Sequence, residues 1–271
     1  MSMSMNEPKV IIIGYGTVGK NLHKELSQLH PDINDNRVRK DYLLREYDIL
    51  APYAYPPDKY DFAFICVDTP LKDNGRDLDV REVQNALEEN NADVYVIKST
   101  CPVDTTYFFT ELFGGNKKIV YSPEFYGSTQ HCNNFDFNYT ILGGDKSACV
   151  KVQQLLQNCY DARHTFHITD SRTAELAKLM ENAWIATKVS FCTQFYEIAK
   201  DNNIRYEELR ELFILDPRVN PAHTFVYADH PYWSSHCLDK DVPHLAYSEP
   251  SAGLLRSVVE YNSVQQENRY F

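Results

Sequence analysis

One stretch of the sequence decides the fold: Val10-Ile11-Ile12-Ile13 runs directly into Gly14-Tyr15-Gly16-Thr17-Val18-Gly19. The first four residues are apolar and β-branched, which predicts a short buried strand. Val18, Leu22 and Leu26 then recur at a spacing of four residues and predict a helix. Because Gly accounts for only 10 of the 271 residues, three glycines between a predicted strand and a predicted helix are informative.

The three glycines have the spacing of a dinucleotide-binding turn. Gly14 permits a tight turn, Gly16 leaves room for a pyrophosphate, and Gly19 lets the helix approach the strand closely. The amino terminus of the helix adds N–H groups and positive potential for the phosphates. A purely structural turn is the alternative. The cofactor-binding residues predicted here are Gly14, Tyr15, Gly16, Thr17, Val18 and Gly19.

An acidic residue about 20 positions after the first glycine would hold the ribose hydroxyls of the cofactor. Asp35 is the best candidate and Asp32 the second. Arg37 and Arg39 stand nearby and could instead accept the 2′-phosphate of NADP. We expect NAD as the cofactor, with Asp35 on its ribose.

Predicted strands alternate with helices up to about residue 170, which is typical of a parallel, doubly wound α/β sheet. The further predicted strands cover 31–35, 61–67, 94–97, 119–122 and 140–144, and a helix is predicted over 80–89. Ligands of such sheets bind beyond the carboxyl ends of the strands. We add the residues at and just beyond these strand ends to the predicted cofactor site: Val67, Thr69, Pro70, Ser99 and Thr100.

The pattern becomes helical beyond residue 170. Residues 174–202 contain neither Gly nor Pro, and their apolar spacing predicts one long helix of about 28 residues. Shorter helices are predicted over 206–215 and 251–266, with irregular chain over 216–250. We therefore predict a disordered leader (1–8), a Rossmann-type cofactor domain (9–170) and a helical domain (171–271).

Composition excludes several classes of function. Lys and Arg number 27 against 38 Asp and Glu, a formal charge of −11, which argues against binding along a nucleic-acid backbone. No apolar run reaches about 18 residues, so we expect no membrane span. The amino terminus lacks the apolar segment of a secretory signal. Seven cysteines without a C-x-x-C pair indicate reduced thiols in a cytoplasmic protein, and we expect no metal site.

Two candidate catalytic groups lie outside the glycine turn. Glu124 stands at the end of a predicted strand, where it could act as a base or orient a water molecule; a glutamate beginning a helix is the alternative. Lys178 and Asn182 are four residues apart on the long predicted helix, so both can hydrogen-bond one alkoxide or carbonyl oxygen. An ordinary exposed lysine is the alternative there.

Cys237 is the candidate nucleophile. It lies in a polar segment beside His236 and near Lys240, which favours a thiolate more than the settings of the other six cysteines. A thiolate adds to an aldehyde to give a thiohemiacetal, which can then lose a hydride. An inert cysteine is the alternative.

Taken in order, these motifs resemble the nucleotide-sugar (UDP-glucose/GDP-mannose) 6-dehydrogenase family. The resemblance implies NAD-dependent oxidation of a sugar C6 alcohol, such as that of UDP-glucose, to an aldehyde and then to a carboxylate. It covers nearly the whole chain, in stretches 13–19, 67–70, 98–103, 122–125, 174–183, 216–218 and 237–241.

The resemblance also implies a role for each matching residue. Cys237 would hold the aldehyde carbon, first as a thiohemiacetal and then as a thioester. Lys178 and Asn182 would stabilise the oxyanion, and Asp241 would assist proton transfer.

Thr100 and Glu124 would position the water that hydrolyses the thioester. Substrate contacts would come from Phe125, Arg218 and Lys240, in addition to Glu124, Lys178 and Asn182. In this family the arginine often reaches the substrate from a second subunit, so the resemblance implies a homodimer built on the long helix.

Three departures weaken the match. Bulky residues over 230–236 replace a glycine-rich stretch that normally precedes the cysteine, and Tyr126-Gly127-Ser128 stands where a further glutamate is usual. The chain ends at Phe271, before the second α/β domain that holds the nucleotide in the family. Since remote binding energy helps to orient the reacting carbon, we expect weaker binding and slower turnover.

Two other functions stay open. A 3-hydroxyacid dehydrogenase also pairs such a sheet with a Lys and an Asn four apart on a long helix, but needs no cysteine. An NAD-binding regulatory or assembly subunit would carry out no oxidation at all.

Overall fold

The computed structural model describes residues 8–34, 59–127 and 135–267. Its strands form one sheet in the order β2-β1-β3-β4-β5-β6-β7. The strands are β1 (Val10–Ile13), β2 (Asp32–Asn34), β3 (Tyr60–Ile65), β4 (Ala92–Ile97), β5 (Lys118–Tyr121), β6 (Tyr139–Gly144) and β7 (Thr165–Thr169). The helices are α1 (Thr17–Glu25), α2 (Arg81–Glu89), α3 (Thr105–Leu112), α4 (Lys146–Leu156), α5 (Ser171–Asp201), α6 (Tyr206–Phe213), α7 (Leu238–Ser248) and α8 (Gly253–Glu267).

The chain forms two compact units, and the boundary between them falls inside α5. The first, here called the sheet unit, consists of the chain up to Thr69, Asp79–Tyr126 and Phe137–Lys178. The second, the helical unit, consists of Pro70–Leu78, Gly127–Asp136 and the chain from Leu179 onward. The domain limits predicted from the sequence stay a prediction.

The sheet unit is a doubly wound α/β sheet, as predicted. Successive strand residues point to opposite faces, so Ile11 and Ile13 join one apolar cluster while Val10 and Ile12 join the other. Burial on both faces explains why the strands are continuous apolar runs. The chain moves from β1 to β2 on one side and returns to β3 on the other, which leaves a ligand-binding crevice at the carboxyl ends of β1 and β3.

The sheet is not wholly parallel, and that part of the prediction was wrong. β5 and β6 pair antiparallel, with Val120 opposite Gly144. A parallel connection needs a crossover, usually a helix, whereas an antiparallel one does not. The described part of residues 122–138, which join the two strands, contains no helix, which agrees with the antiparallel pairing.

Helix α7 lies inside the segment that was predicted to be irregular, so that prediction was also wrong. Pro243 lies within the helix, where it removes one backbone hydrogen bond at a cost of about 3 kcal/mol. A proline in the sequence argues against a helix, so the apolar spacing around it was not interpreted as helical. The helix forms because Leu238, Val242 and Ala246 recur on one face and are buried in the core of the helical unit. The long helix α5, of 31 residues, was predicted correctly.

Candidate active site

The glycine turn has the geometry that a dinucleotide requires. Gly14 has φ of 90°, and a Cβ on Gly19 would lie 2.0 Å from the carbonyl oxygen of Gly14. These two glycines therefore serve the turn and its packing. A Cβ on Gly16 would meet no heavy atom within 4 Å among the described residues, and no side chain caps the start of α1 there. Open space before uncapped N–H groups fits a pyrophosphate.

The loops after β3 and β4 lie at the same sheet edge as the glycine turn, because β1, β3 and β4 are neighbours. They are also bound to each other. The Thr69 hydroxyl donates to the Thr100 carbonyl at 2.7 Å, and the Ser99 hydroxyl donates to the Val67 carbonyl at 2.7 Å. The structure therefore brings these predicted cofactor residues together. Pro70 belongs to the helical unit, and Asp35 lies outside the described residues.

Glu124 is held at both carboxylate oxygens. Oε2 lies 3.0 Å from Nζ of Lys98, and Oε1 accepts the Phe125 N–H at 3.1 Å. Burial acts to lower the pKa of Lys98, but the Glu124 carboxylate outweighs it and the pKa is raised. No described helix begins at Glu124, so the helix-start alternative was wrong.

Lys98 was not singled out from the sequence, although one signal was present. Strand side chains alternate between faces, and Lys98 continues the buried series of Val94 and Val96. A lysine in that register must be buried at the strand end, where it needs a partner of opposite charge. On the same side, burial raises the pKa of the Cys66 thiol to about 12, so this thiol stays neutral.

Lys178 is buried in the sheet unit, so the ordinary exposed lysine was the wrong alternative. Its Nζ lies 5.0 Å from the centre of the Phe125 ring, a distance suited to a cation–π contact. One turn earlier, buried Glu175 accepts the N–H groups of Asp104 at 2.7 Å and of Thr106 at 2.8 Å. Burial raises the pKa of Glu175, against these hydrogen bonds. The first turns of α5 are thereby fixed to the start of α3.

Asp241 forms the polar centre of the helical unit. Its side chain is 0% exposed. Oδ2 accepts Nδ2 of Asn182 at 2.6 Å, and Oδ1 accepts Nζ of Lys240 at 2.7 Å. The structure thus brings three predicted site residues together. Lys240, which was predicted to contact the sugar, contacts Asp241 here.

Cys237 immediately precedes α7 and is the one exposed cysteine of those described. The segment before it is irregular, as predicted, and its side chains bind the first turn of α7. The Ser235 hydroxyl accepts the Leu238 N–H at 3.0 Å, and the Ser234 hydroxyl donates to Oδ2 of Asp239 at 2.9 Å. An accessible thiol at a helix amino terminus is suited to nucleophilic chemistry.

Arg218 is exposed on the helical unit. Its guanidinium binds the Asp216 carboxylate through Nε at 2.9 Å and through Nη2 at 2.5 Å. The Asp216 hydrogen bond raises the pKa of Arg218, which therefore stays charged. In this chain the predicted substrate arginine is presented at the surface.

The described part of the chain contains no cluster of three or more His, Cys, Asp or Glu placed to hold a metal ion. Within the same residues, no helix is both long and apolar enough to cross a membrane.

Two models of one protein family match this chain. Residues 20–163 match the NAD binding domain of the UDP-glucose/GDP-mannose dehydrogenase family, and residues 172–268 match its central domain. These matches confirm the resemblance drawn from the motifs and the prediction of NAD as cofactor.

Individual proteins are also similar to this chain in sequence or in fold. The chain is 26% identical to a UDP-glucose 6-dehydrogenase of Campylobacter jejuni, over 96% of this chain and 73% of that one. A UDP-D-ManNAc dehydrogenase structure from Pyrococcus horikoshii superposes with a TM-score of 0.76 at 21% identity, covering 94% and 68%. A 3-hydroxyisobutyrate dehydrogenase structure from Mycobacterium tuberculosis shares the fold, with a TM-score of 0.64 at 14% identity, covering 95% and 93%.

Proposed function

Because the chain belongs to the UDP-glucose/GDP-mannose dehydrogenase family, we propose that it oxidises the C6 alcohol of a UDP-glucose-like nucleotide sugar to the carboxylate. The alcohol, one water and two NAD⁺ give the carboxylate, two NADH and three protons. NAD accepts one hydride in each of the two oxidations. We also place this activity in the cytoplasm, which agrees with the free thiols among the described cysteines.

The observation that carries the proposal is the contrast between Cys237 and Asp241. They stand one turn apart, with the Asp241 N–H donating to the Cys237 carbonyl at 2.9 Å. The thiol is exposed, whereas the carboxylate is enclosed with Asn182 and Lys240. A nucleophile beside a fixed acid–base group suits covalent capture of an aldehyde.

The oxyanion is stabilised by two donors in this proposal. Lys178 supplies a positive charge, and Asn182 supplies an N–H beyond the one that binds Asp241, since a carboxamide has two. Asp241 is fully buried, so it assists proton transfer through Lys240, which binds its Oδ1, rather than by touching the sugar.

Hydrolysis of the thioester is assigned to Glu124 and Thr100. A carboxylate has about four lone-pair sites, so Glu124 can accept a hydrogen bond from water while it keeps Lys98 and the Phe125 N–H. The Thr100 bond to Thr69 uses its carbonyl, and the hydroxyl is the group proposed to orient this water.

The sugar is proposed to contact Phe125, Arg218 and Lys240. Relatives act on different sugars by their names, UDP-glucose for one and UDP-D-ManNAc for another. Both sugars therefore belong in the assay, together with a GDP-sugar.

We further propose a homodimer through α5. Large apolar side chains are exposed along its helical-unit part, and a second copy would remove them from water: Met180, Trp184, Phe191, Phe195 and Ile198. Sedimentation should give a dimer that Trp184→Lys dissociates and Gln154→Lys, on α4, leaves intact. A wild-type monomer at micromolar concentration contradicts the dimer.

The stoichiometry of NADH tests the activity. We expect two NADH per UDP-sugar consumed and a carboxylate product. Cys237→Ala should release no carboxylate, whereas the control Cys159→Ala, on the sheet unit, should match the wild type. No NADH from any of the three sugars contradicts the proposal, and NAD binding without oxidation then favours the regulatory subunit.

A 3-hydroxyacid oxidation is the second candidate, favoured by the match over 93% of the 3-hydroxyisobutyrate dehydrogenase chain. It predicts one NADH per turnover with 3-hydroxyisobutyrate and no effect of Cys237→Ala.

A further inference from the structure

The residue four positions before Cys237 is anchored to the helical unit at three atoms. Asn262 of α8 binds the Trp233 backbone twice, since its Oδ1 accepts the N–H at 2.9 Å and its Nδ2 donates to the carbonyl at 3.0 Å. The Trp233 ring Nε1 donates to the Ser190 hydroxyl of α5 at 3.0 Å. Trp233 is 4% exposed, Asn262 is 4% exposed and Ser190 is 8% exposed.

These contacts do more than fill the core with an indole ring. The ring packs among apolar residues of the helical unit, including Ala186, Val242 and Val258. Packing of the ring alone would not require any partner for the Trp233 backbone. The Asn262 carboxamide nevertheless binds both its N–H and its carbonyl. Leaving either group unpaired would cost its full desolvation, so Asn262 fixes the position of the main chain here as well as that of the ring.

The chain from Trp233 to Cys237 is also fixed at its other end. Ser235 caps the first turn of α7 through its hydroxyl, and its carbonyl accepts the Asp239 N–H at 3.1 Å. Only three residues separate Trp233 from Cys237. A short segment tied at both ends has little freedom, so the anchor restricts where Sγ of Cys237 can lie.

We propose that Asn262 and Ser190 are positioning residues that, through Trp233, hold the Cys237 thiol in place for attack. This rests on the proposed function of Cys237 as nucleophile. Attack on a carbonyl needs the reacting atoms about 3–3.5 Å apart and aligned, and a misplacement of about 1 Å costs about 100-fold in rate. Neither residue touches the substrate in this proposal.

Kinetics of three variants test the catalytic part. Asn262→Leu keeps the size of the side chain and removes both backbone partners; kcat should fall about 100-fold, with KM for NAD unchanged. Ser190→Ala, which removes only the ring contact, should lower kcat by a smaller factor, and Ser190→Thr should restore it. Ser263→Ala is the control, because its hydroxyl binds the Val259 carbonyl on α8. A kcat within twofold of wild type in both Asn262→Leu and Ser190→Ala overturns the proposal.

Amide hydrogen exchange tests the anchor without any substrate. We expect faster exchange in Asn262→Leu and Ser190→Ala at residues 233–241, where the Leu238 and Asp239 amides are capped, and unchanged exchange in α6. Equal acceleration across the whole helical unit means a general packing role and overturns the proposal. If the wild type oxidises no sugar, the proposed function fails; exchange confined to 233–241 still supports the anchor.

Discussion

Each unit buries a lysine–carboxylate pair, but the more deeply buried partner differs. It is the lysine in the sheet unit and the carboxylate in the helical unit. In the sheet unit the Lys98 side chain is 6% exposed and that of Glu124 is 16% exposed. In the helical unit the carboxylate is innermost, because the Asp241 side chain is 0% exposed and that of Lys240 is 11% exposed. The more accessible group is thus a carboxylate in the sheet unit, which accepts hydrogen bonds. In the helical unit it is an ammonium group, which donates them.

This inversion suits a reaction with two needs. Hydrolysis of a thioester calls for a group that orients the attacking water, the role proposed for Glu124. Stabilising an oxyanion calls for N–H donors, the role proposed for Asn182 of the helical unit together with Lys178. The inner member of each pair holds the outer one in place through a direct contact. Changes at Lys240 and at Lys98 test this comparison directly, and changes at His164 and Gly16 test two other features of the sheet unit.

Lys240→Met should give the largest effect. It leaves Asp241 fully enclosed with Asn182 alone, and breaking a buried pair in this way costs about 3–5 kcal/mol of unfolding free energy. Urea denaturation measures it. The double variant Lys240→Met/Asp241→Asn should recover most of the loss; a double variant as unstable as the single one would mean that the charge is not the cause.

Lys98→Met should cost less, about 2 kcal/mol, since Glu124 is partly accessible and can recover water. The same denaturation assay applies. Lys59→Met is the control, because Lys59 pairs with Asp93 at the surface, and no measurable change is expected from its loss. A larger loss for Lys98→Met than for Lys240→Met would reverse the comparison.

His164, which stacks on Tyr160 with ring centres 4.0 Å apart, should contribute to the pH dependence of stability. Burial lowers the pKa of His164 from 6.5, so the unfolded chain takes up a proton before the folded one does. Stability is therefore full above pH 6.5 and is lost as the pH falls below it. In His164→Asn, denaturation at pH 7.5 and 5.5 should show a smaller difference; an unchanged difference rules out His164 as the source.

Gly16→Ala should have the smallest effect on stability, about 0.5 kcal/mol or less, since the added methyl meets no neighbour. It should nevertheless weaken NAD binding at least tenfold in calorimetry, because that methyl occupies the pyrophosphate space. Gly19→Ala is the contrasting variant, whose methyl collides with the backbone of Gly14 and should destabilise the fold itself. Unchanged NAD affinity in Gly16→Ala contradicts the site.

The sequence predicted the elements whose signal is local. Apolar runs marked β1 and β3, and uninterrupted helical spacing marked α5. Helix α7 was missed because Pro243 concealed an apolar face that only packing reveals. The direction of β6 was missed because strand patterns carry no direction.

The candidate site divides in the same way. Glu124, Lys178 and Cys237 were predicted as site residues because each belongs to a short motif. Asn262 and Ser190 were not, because their partner Trp233 lies 29 and 43 residues away and only the fold brings them together. Contacts between residues so far apart produce no recognisable spacing pattern in a single sequence.

The paired bonds between the loops after β3 and β4 have a consequence for cofactor affinity. Thr69 to Thr100 and Ser99 to Val67 join the two loops into one body before any ligand arrives. Ordering two separate loops upon binding would cost conformational entropy, and that cost would weaken the complex. Here the ordering belongs to folding, so the cofactor meets two loops that are already joined.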